Sequence, residues 1–261
     1  MDVRVFESGV DAGAAFVLIH GFGVSSRYFS PLATDLSTRG RVLVLDLPGF
    51  GRTRDPDHSP RITGFAHVVN EILQRLEVHN PVLVGHSMGA QVAVEALNRA
   101  PGLSRGAVLG APVVNDRERN GALVLWRFVQ SAVKEPPSSA WDSVRGFLQT
   151  TPSWLLRNFG PMLRYRIEDH IQQTAAPLVV VGGAGDRIAP PDWCRRLAMT
   201  RDGIDVVIVE GAAHEMIHTN ASEVAHIAAE LARRTAAPTS HPHTGAAASA
   251  TTTPGLPPCG G

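Results

Sequence analysis

The stretch Val82–Ala90 carries the residues with the clearest chemical potential. An apolar run leads into the pattern Gly85-x-Ser87-x-Gly89, and a helical pattern follows directly. A strand that turns sharply into a helix leaves little room beside the turning residue, so glycine is needed on both sides of the serine. The serine hydroxyl then points out of the sheet, and the backbone N–H of Met88 opens the helix, where negative charge is stabilised. We therefore predict that Ser87 is a nucleophile.

A serine hydroxyl is a weak nucleophile that needs a histidine base, and the base needs a carboxylate to orient it. One apolar strand pattern ends in a glycine-rich turn with Asp186, and the next ends in a loop of small residues with His214. The carboxyl ends of neighbouring parallel strands meet at one edge of a sheet, where α/β folds place their sites. Both side chains are therefore predicted to reach Ser87.

The order serine, acid, histidine resembles the α/β-hydrolase family, whose triad follows this order along the chain. The resemblance covers about residues 1–234 and includes the loop His20–Gly23 and the turn Asp46–Gly51. It implies an α/β fold with a mostly parallel central sheet, helices on both faces and a small helical cap. It also implies that Ser87, Asp186 and His214 are the catalytic residues.

The resemblance also implies an oxyanion hole. Its two donors would be the backbone N–H groups of Phe22, in the loop after an early strand, and of Met88. The chemistry expected of such a site is hydrolysis through an acyl-enzyme, which requires no metal and no organic cofactor.

Other titratable residues have competing interpretations. Asp116 follows an apolar pair and is an alternative acid. His20 and His86 flank the functional loops, and we expect them to form hydrogen bonds with the backbone rather than transfer protons. His67 falls on a helical pattern and is expected to face solvent.

The segment His214–His218 also reads as H-E-x-x-H, the signature of zinc proteases. That motif needs a helix, since only a pair four residues apart on one face brings two imidazoles to a metal. Here a loop of small residues precedes it and the helical signal begins only at Asn220. We therefore predict no metal site.

The composition points to a small-molecule substrate. The chain has 24 Lys and Arg against 24 Asp and Glu, so no net field draws it to nucleic acid or to a membrane surface. Two cysteines, Cys194 and Cys259, cannot form a disulfide framework. We see neither a signal peptide nor an apolar run near 18 residues, and expect a soluble cytoplasmic protein of unpredicted oligomeric state.

Strand and helix patterns alternate along the chain, which is typical of an α/β fold with a parallel sheet. The last helix is predicted to begin after Asn220, with Glu223 completing a capping box, and to end near Arg234. This alternation of strand and helix patterns is interrupted in one central segment. We expect a core domain at 1–114 and 175–236, a helical cap at 115–174 and a disordered tail at 237–261.

The predicted cap is rich in aromatic residues. Trp126, Trp154 and Phe159 are predicted to line an apolar substrate pocket. The alternative, that these residues form the subdomain's own core, stays open because both can hold together.

A carboxylic ester of a small, largely apolar molecule is the substrate we expect first, with lactones and thioesters close to it. The same triad in related families cleaves carbon–carbon bonds of ring-fission products, although Glu215 stands here where many of those enzymes carry Trp. A third interpretation, from another class, is a ligand-binding protein that keeps the hydrolase scaffold with little turnover.

Overall fold

A computed structural model describes residues 3–10, 13–57, 61–132 and 137–236. Within these ranges seven strands form one sheet. In chain order they are β1 (Arg4–Gly9), β2 (Ala14–Ile19), β3 (Gly40–Asp46), β4 (Val82–His86), β5 (Gly106–Gly110), β6 (Leu178–Gly183) and β7 (Asp205–Val209). Their spatial order is β1-β3-β2-β4-β5-β6-β7.

The helices in the described part of the chain follow the predicted alternation with the strands. They are α1 (Ser30–Ser37), α2 (Arg61–Arg75), α3 (Met88–Arg99), α4 (Gly121–Ala132), α5 (Pro137–Gln149), α6 (Pro152–Arg164), α7 (Ile167–Ile171), α8 (Pro191–Ala198), α9 (Met216–Thr219) and α10 (Ala221–Arg234). Short 3-10 helices cover Ser26–Phe29 and Asp116–Glu118. The predicted α/β class is confirmed.

The sheet is parallel except at one edge, where β1 pairs with β3 in the antiparallel direction. Its central strands are buried on both faces, which explains their continuous apolar sequences. One apolar cluster lies under α2, α3 and α8, and the other lies under α1 and α10. The carboxyl ends of β4, β6 and β7 therefore point to the same edge of the sheet.

Helices α4 to α7 lie between β5 and β6, in the segment where the sequence showed no strand pattern. Buried hydrogen bonds join α6 and Tyr165, the residue that follows it, to α3. Gln91 Nε2 donates to the carbonyls of Val113 (2.9 Å) and Met162 (3.1 Å), and the Tyr165 hydroxyl donates to Glu95 Oε2 (3.0 Å). The predicted domain limits at 115 and 174 stay a prediction, and the predicted tail at 237–261 lies outside the described residues.

The predicted capping box before α10 is wrong, although the helix begins after Asn220 and ends at Arg234 as expected. The Asn220 side chain does not cap the helix, because its Oδ1 accepts a hydrogen bond from the Thr219 hydroxyl (2.8 Å). The short helix α9 occupies the residues just before it and was not predicted. No helix in the described ranges is both long and apolar enough to cross a membrane.

Candidate active site

The turn between β4 and α3 consists of one residue, Ser87. Its backbone has φ 57° and ψ −117°, a left-handed conformation that is strained for a residue with a side chain. A methyl group at Gly85 would lie 2.3 Å from the Gly89 carbonyl oxygen, and one at Gly89 would lie 2.0 Å from the Ile19 carbonyl oxygen. Because neither site accepts a Cβ, the predicted need for both glycines is confirmed.

The three predicted catalytic side chains meet at the carboxyl edge of the sheet. His214 Nε2 lies 3.2 Å from Ser87 Oγ, and His214 Nδ1 lies 2.8 Å from Asp186 Oδ2. All three side chains are buried. A carboxylate can only accept, so Nδ1 carries the proton and the Nε2 lone pair faces the hydroxyl of Ser87. This is the arrangement that general-base activation of a serine requires.

Asp186 is held as a carboxylate by its surroundings. Burial by itself would raise the pKa of Asp186, but the charge and hydrogen bond of His214 and the N–H groups of Ala189 and Ile188 lower it overall. Its Oδ1 accepts from Ile188 N–H at 2.7 Å and from Ala189 N–H at 2.9 Å. Both oxygens are thus engaged, which fixes the plane that orients His214.

The competing acid, Asp116, has a different partner. Its Oδ1 lies 2.6 Å from Arg196 Nη2 in a partly exposed ion pair. His214 binds Asp186 instead, so the geometry selects Asp186 of the two predicted acids.

The predicted backbone contacts of His20 and His86 and the predicted exposure of His67 are confirmed. His20 Nε2 accepts from the Leu47 N–H (3.0 Å), and its Nδ1 lies 2.8 Å from the Gly21 carbonyl. This ring therefore joins the loops after β2 and β3. His86 Nε2 lies 2.8 Å from the His214 carbonyl, and His67 is exposed on α2.

The two histidines of the H-E-x-x-H segment bind different groups. His214 lies before α9 and contacts Ser87 and Asp186, whereas His218 Nδ1 lies 3.3 Å from the Tyr28 carbonyl. A zinc pair needs both rings on one face of a helix. Only His218 is on a helix here, so the segment lacks that arrangement.

The two predicted oxyanion donors belong to residues near the nucleophile. Phe22 lines the cavity in front of Ser87, and Met88 is the first residue of α3. The loop of Phe22 passes close to the turn, since a methyl group at Gly21 would lie 2.9 Å from Ser87 Cβ. Their role as oxyanion donors stays a prediction.

A cavity of about 270 Å³ opens onto Ser87 and His214. One wall belongs to the core and includes Phe22, Tyr28, His86 and Ile188. The other wall belongs to α4 and α5. Its described members are Leu125, Phe128, Val129, Ser131, Ser143, Val144 and Phe147.

The prediction that Trp126, Trp154 and Phe159 line the substrate pocket is wrong, because none of them lines this cavity. The Trp126 side chain is 56% exposed on the outer face of α4. Trp154 is fully buried against Gly49 and Phe50, and Phe159 packs behind Phe22 with ring centroids 5.8 Å apart. Trp154 and Phe159 thus pack against Phe50 and Phe22 of the predicted core domain, whereas the alternative interpretation expected them to form the core of the cap itself.

The residues that line the cavity from the cap have helical spacing. The prediction of pocket residues used the number of aromatic residues and did not use this spacing. Leu125, Phe128 and Val129 are spaced i, i+3, i+4 on α4, and Val144 and Phe147 are spaced i, i+3 on α5. Apolar periodicity could therefore have identified the cavity-lining faces of α4 and α5, whereas selection by residue size identified residues that do not line the cavity.

The chain is similar over most of its length to several known proteins. The chain is 23% identical to 2-(acetamidomethylene)succinate hydrolase of Mesorhizobium japonicum, covering 81% of this chain and 84% of that protein. It is 25% identical to a Synechocystis protein provisionally named as a non-heme chloroperoxidase, over 85% and 92% of the two chains. A thermophilic esterase from Thermogutta terrifontis superposes with a TM-score of 0.76 at 20% identity, covering 89% of this chain and 93% of that one.

The family comparison covers most of the chain. The model of the Alpha/beta hydrolase family matches residues 16–227, a range that contains the predicted triad. The chain therefore belongs to the alpha/beta hydrolase family, and hydrolysis is the general activity that this membership indicates.

Proposed function

We propose that this protein hydrolyses a carboxylic ester of a small, uncharged, largely apolar molecule through an acyl-enzyme on Ser87. The observation that carries the proposal is the hydrogen-bonded series Asp186, His214 and Ser87 at the floor of an apolar cavity. A lactone and a thioester are the closest alternative substrates, because each presents a carbonyl carbon to the same nucleophile. Family membership supports hydrolysis as the reaction type.

The cavity lining supports an uncharged substrate. Among the described residues that line it there is no Lys, Arg, Asp or Glu. A substrate carboxylate would lose its hydration there without gaining a cationic partner, which costs several kcal/mol. This disfavours dicarboxylates such as the succinate derivative in the name of the Mesorhizobium relative.

Acylation follows from the tautomer of His214. Ser87 Oγ attacks the carbonyl carbon while its proton moves to the unprotonated Nε2 of His214. The backbone N–H groups of Phe22 and Met88 donate to the new oxyanion, a contribution of about 3–4 kcal/mol per donor in comparable sites. The C–O bond then breaks, the leaving alkoxide takes the proton from Nε2, and the acyl group stays on Ser87.

Deacylation repeats these steps with water. His214 Nε2 takes a proton from the water, the hydroxide attacks the acyl carbon, and Ser87 leaves with the proton returned by His214. Throughout, Asp186 stabilises the imidazolium without becoming protonated. No step requires a metal ion or an organic cofactor.

The experiment is intact-mass detection of adducts combined with steady-state hydrolysis. The panel contains neutral p-nitrophenyl esters, a lactone, a thioester and a succinyl ester as the charged control, together with peroxide and halide for the reaction named in the Synechocystis relative. We expect neutral ester turnover and an acyl adduct on Ser87. Ser222→Ala is the matched control, because its hydroxyl bonds Asp35 at the surface.

Other results would select other functions. Labelling of Ser87 by a fluorophosphonate without turnover of any ester supports the ligand-binding alternative. Cleavage restricted to carbon–carbon bonds of diketone substrates supports the ring-fission alternative. Loss of activity on exhaustive chelation would contradict the proposal, since the mechanism uses no metal.

The proposal includes a small-molecule partner alone and a cytoplasmic location. The balanced charge and the sparse cysteines support both. Cell fractionation with an antibody against the chain tests the location.

A further inference from the structure

His86 connects the nucleophile to the backbone of the base. It is the last residue of β4 and directly precedes Ser87, yet its side chain reaches the loop after β7. There its Nε2 lies 2.8 Å from the main-chain carbonyl oxygen of His214. One side chain therefore joins the two polypeptide segments whose separation sets the 3.2 Å contact between Ser87 Oγ and His214 Nε2.

The tautomer of His86 follows from this contact. A carbonyl oxygen can only accept a hydrogen bond, so Nε2 must carry the proton. Nδ1 is buried and has no hydrogen-bond partner among the described residues, and the backbone of Gly21 lies against it. Burial, and then the neighbouring His214, lower the pKa of His86 to about 3, so the ring is neutral at working pH.

The ring of His86 is also held in place by packing. It is 3% exposed, its centroid lies 5.5 Å from that of Tyr28, and it lies 4.9 Å from that of His214. The side chain thus has little freedom to release the His214 carbonyl without moving its neighbours.

We propose that His86 is a positioning residue for this reaction, which donates its Nε2–H to the His214 carbonyl and thereby holds the base in register with Ser87. The inference rests on the proposed function of the Ser87 site. His86 does not contact the reacting atoms and transfers no proton. Its effect acts through the placement of His214, where an error of about 1 Å costs on the order of 100-fold in rate.

The test compares side chains with and without a donor at that position. His86→Gln keeps an N–H at a similar reach, His86→Met has similar length without a donor, and His86→Phe keeps a ring without a donor. We expect His86→Met and His86→Phe to lower kcat by about 10- to 100-fold with KM changed by less than about 3-fold. His86→Gln should keep kcat within about 5-fold of the wild type.

The rate at which a fluorophosphonate labels Ser87 provides a readout that needs no ester turnover. The labelling rate should fall in His86→Met and His86→Phe and stay near the wild-type rate in His86→Gln. If the wild type is labelled normally but hydrolyses no ester, the proposed function fails and this comparison still stands. Equal labelling rates in His86→Met, His86→Gln and the wild type would overturn the positioning role. A raised KM with an unchanged kcat would overturn it as well.

A measurement on the wild type guards against variants that do not fold. Nitrogen-detected imidazole spectra assign the protonated nitrogen of each histidine, and circular dichroism checks each variant. We expect His86 with its proton on Nε2 and slow exchange with solvent. A proton on Nδ1 would overturn the proposal directly.

Discussion

The two walls of the cavity differ in how they are held. The core wall contains Ser87, His86 and His214, which are buried and joined by hydrogen bonds of 2.8–3.2 Å. The cap wall consists of side chains on α4 and α5 that are mostly apolar, and several are about half exposed, including Val129 and Phe147. Precise chemistry is therefore placed on rigid strand ends, and contact with the rest of the substrate on a looser surface.

This contrast separates the effects expected from substitution. A change in the core wall should alter the rate of the chemical step, because in the proposed mechanism Ser87 and His214 act on the reacting atoms and His86 holds His214 in place. A change in the cap wall should alter binding, because its groups act on remote parts of the substrate. The predictions below run from the largest expected effect to the smallest.

Ser87→Ala tests the core wall most severely. We expect kcat to fall by about 10⁴- to 10⁶-fold, since the nucleophile is lost while the pocket remains. Steady-state hydrolysis and intact mass after incubation with substrate measure it. Residual turnover above one hundredth of the wild type would contradict the acyl-enzyme mechanism.

Asp186→Asn should reduce kcat by about 10³- to 10⁴-fold. An amide at this position no longer stabilises the imidazolium and favours the wrong tautomer of His214. The matched control is Asp116→Asn, which removes a partly exposed partner of Arg196 and should leave kcat within about 3-fold. If Asp116→Asn gave the larger loss, the assignment of the acid would be wrong.

The pH dependence of stability distinguishes the buried core wall from the half-exposed cap. In the unfolded chain His86 has a pKa of about 6.5, whereas in the folded protein its pKa is about 3. Below pH 6.5 the unfolded chain therefore binds a proton that the folded chain cannot, so the free energy of unfolding falls as the pH drops toward 3.

Between pH 6.5 and 4.5 this residue should remove about 2 kcal/mol of stability. Urea unfolding of wild type and His86→Gln at both values measures the difference, because the other titrating groups are common to both. Equal losses in the two proteins would show that His86 titrates normally.

Phe147→Ala tests the cap wall. Phe147 lines the cavity from α5 and lies over Gly23, and we expect its removal to raise KM for apolar esters by about 5- to 20-fold with kcat within about 3-fold. A short-chain ester serves as control, because it leaves less surface to contact the ring. A lower kcat with an unchanged KM would contradict the assignment of substrate binding to the cap wall and of the chemical step to the core wall.

Trp126→Ala should have the smallest effect. The ring faces away from the cavity on α4, so kcat/KM for the same esters should stay within about 2-fold. A loss above about 10-fold would restore the pocket role that the sequence suggested and the structure removed.

The convergence of Ser87, Asp186 and His214 could be predicted from the sequence and the cap wall could not. Ser87, Asp186 and His214 each end an apolar strand pattern, and parallel strand ends must converge whatever the side-chain details. The pocket depends instead on which face each cap helix turns inward. Trp126 and Leu125 are neighbours in sequence, yet only Leu125 lines the cavity.

The role of His86 was also beyond sequence reasoning. Its proximity to Ser87 was visible, and backbone hydrogen bonding was expected, but the acceptor lies 128 positions away on another strand end. The helix α9 was missed for a related reason. Four residues are too few for a periodic pattern, and this one is fixed by tertiary packing.

The hydrogen bonds of Gln91 and Tyr165 have a consequence for substrate size. Pulling α6 and Tyr165 away from α3 would leave polar groups on both sides unpaired in a dry interior, at about 1–3 kcal/mol each. Helix α6 is thus held firmly to α3, whereas the cap wall of the cavity comes from α4 and α5. Adaptation to longer or bulkier molecules must come from that wall, and enlarging the cavity by design should begin on α4 and α5.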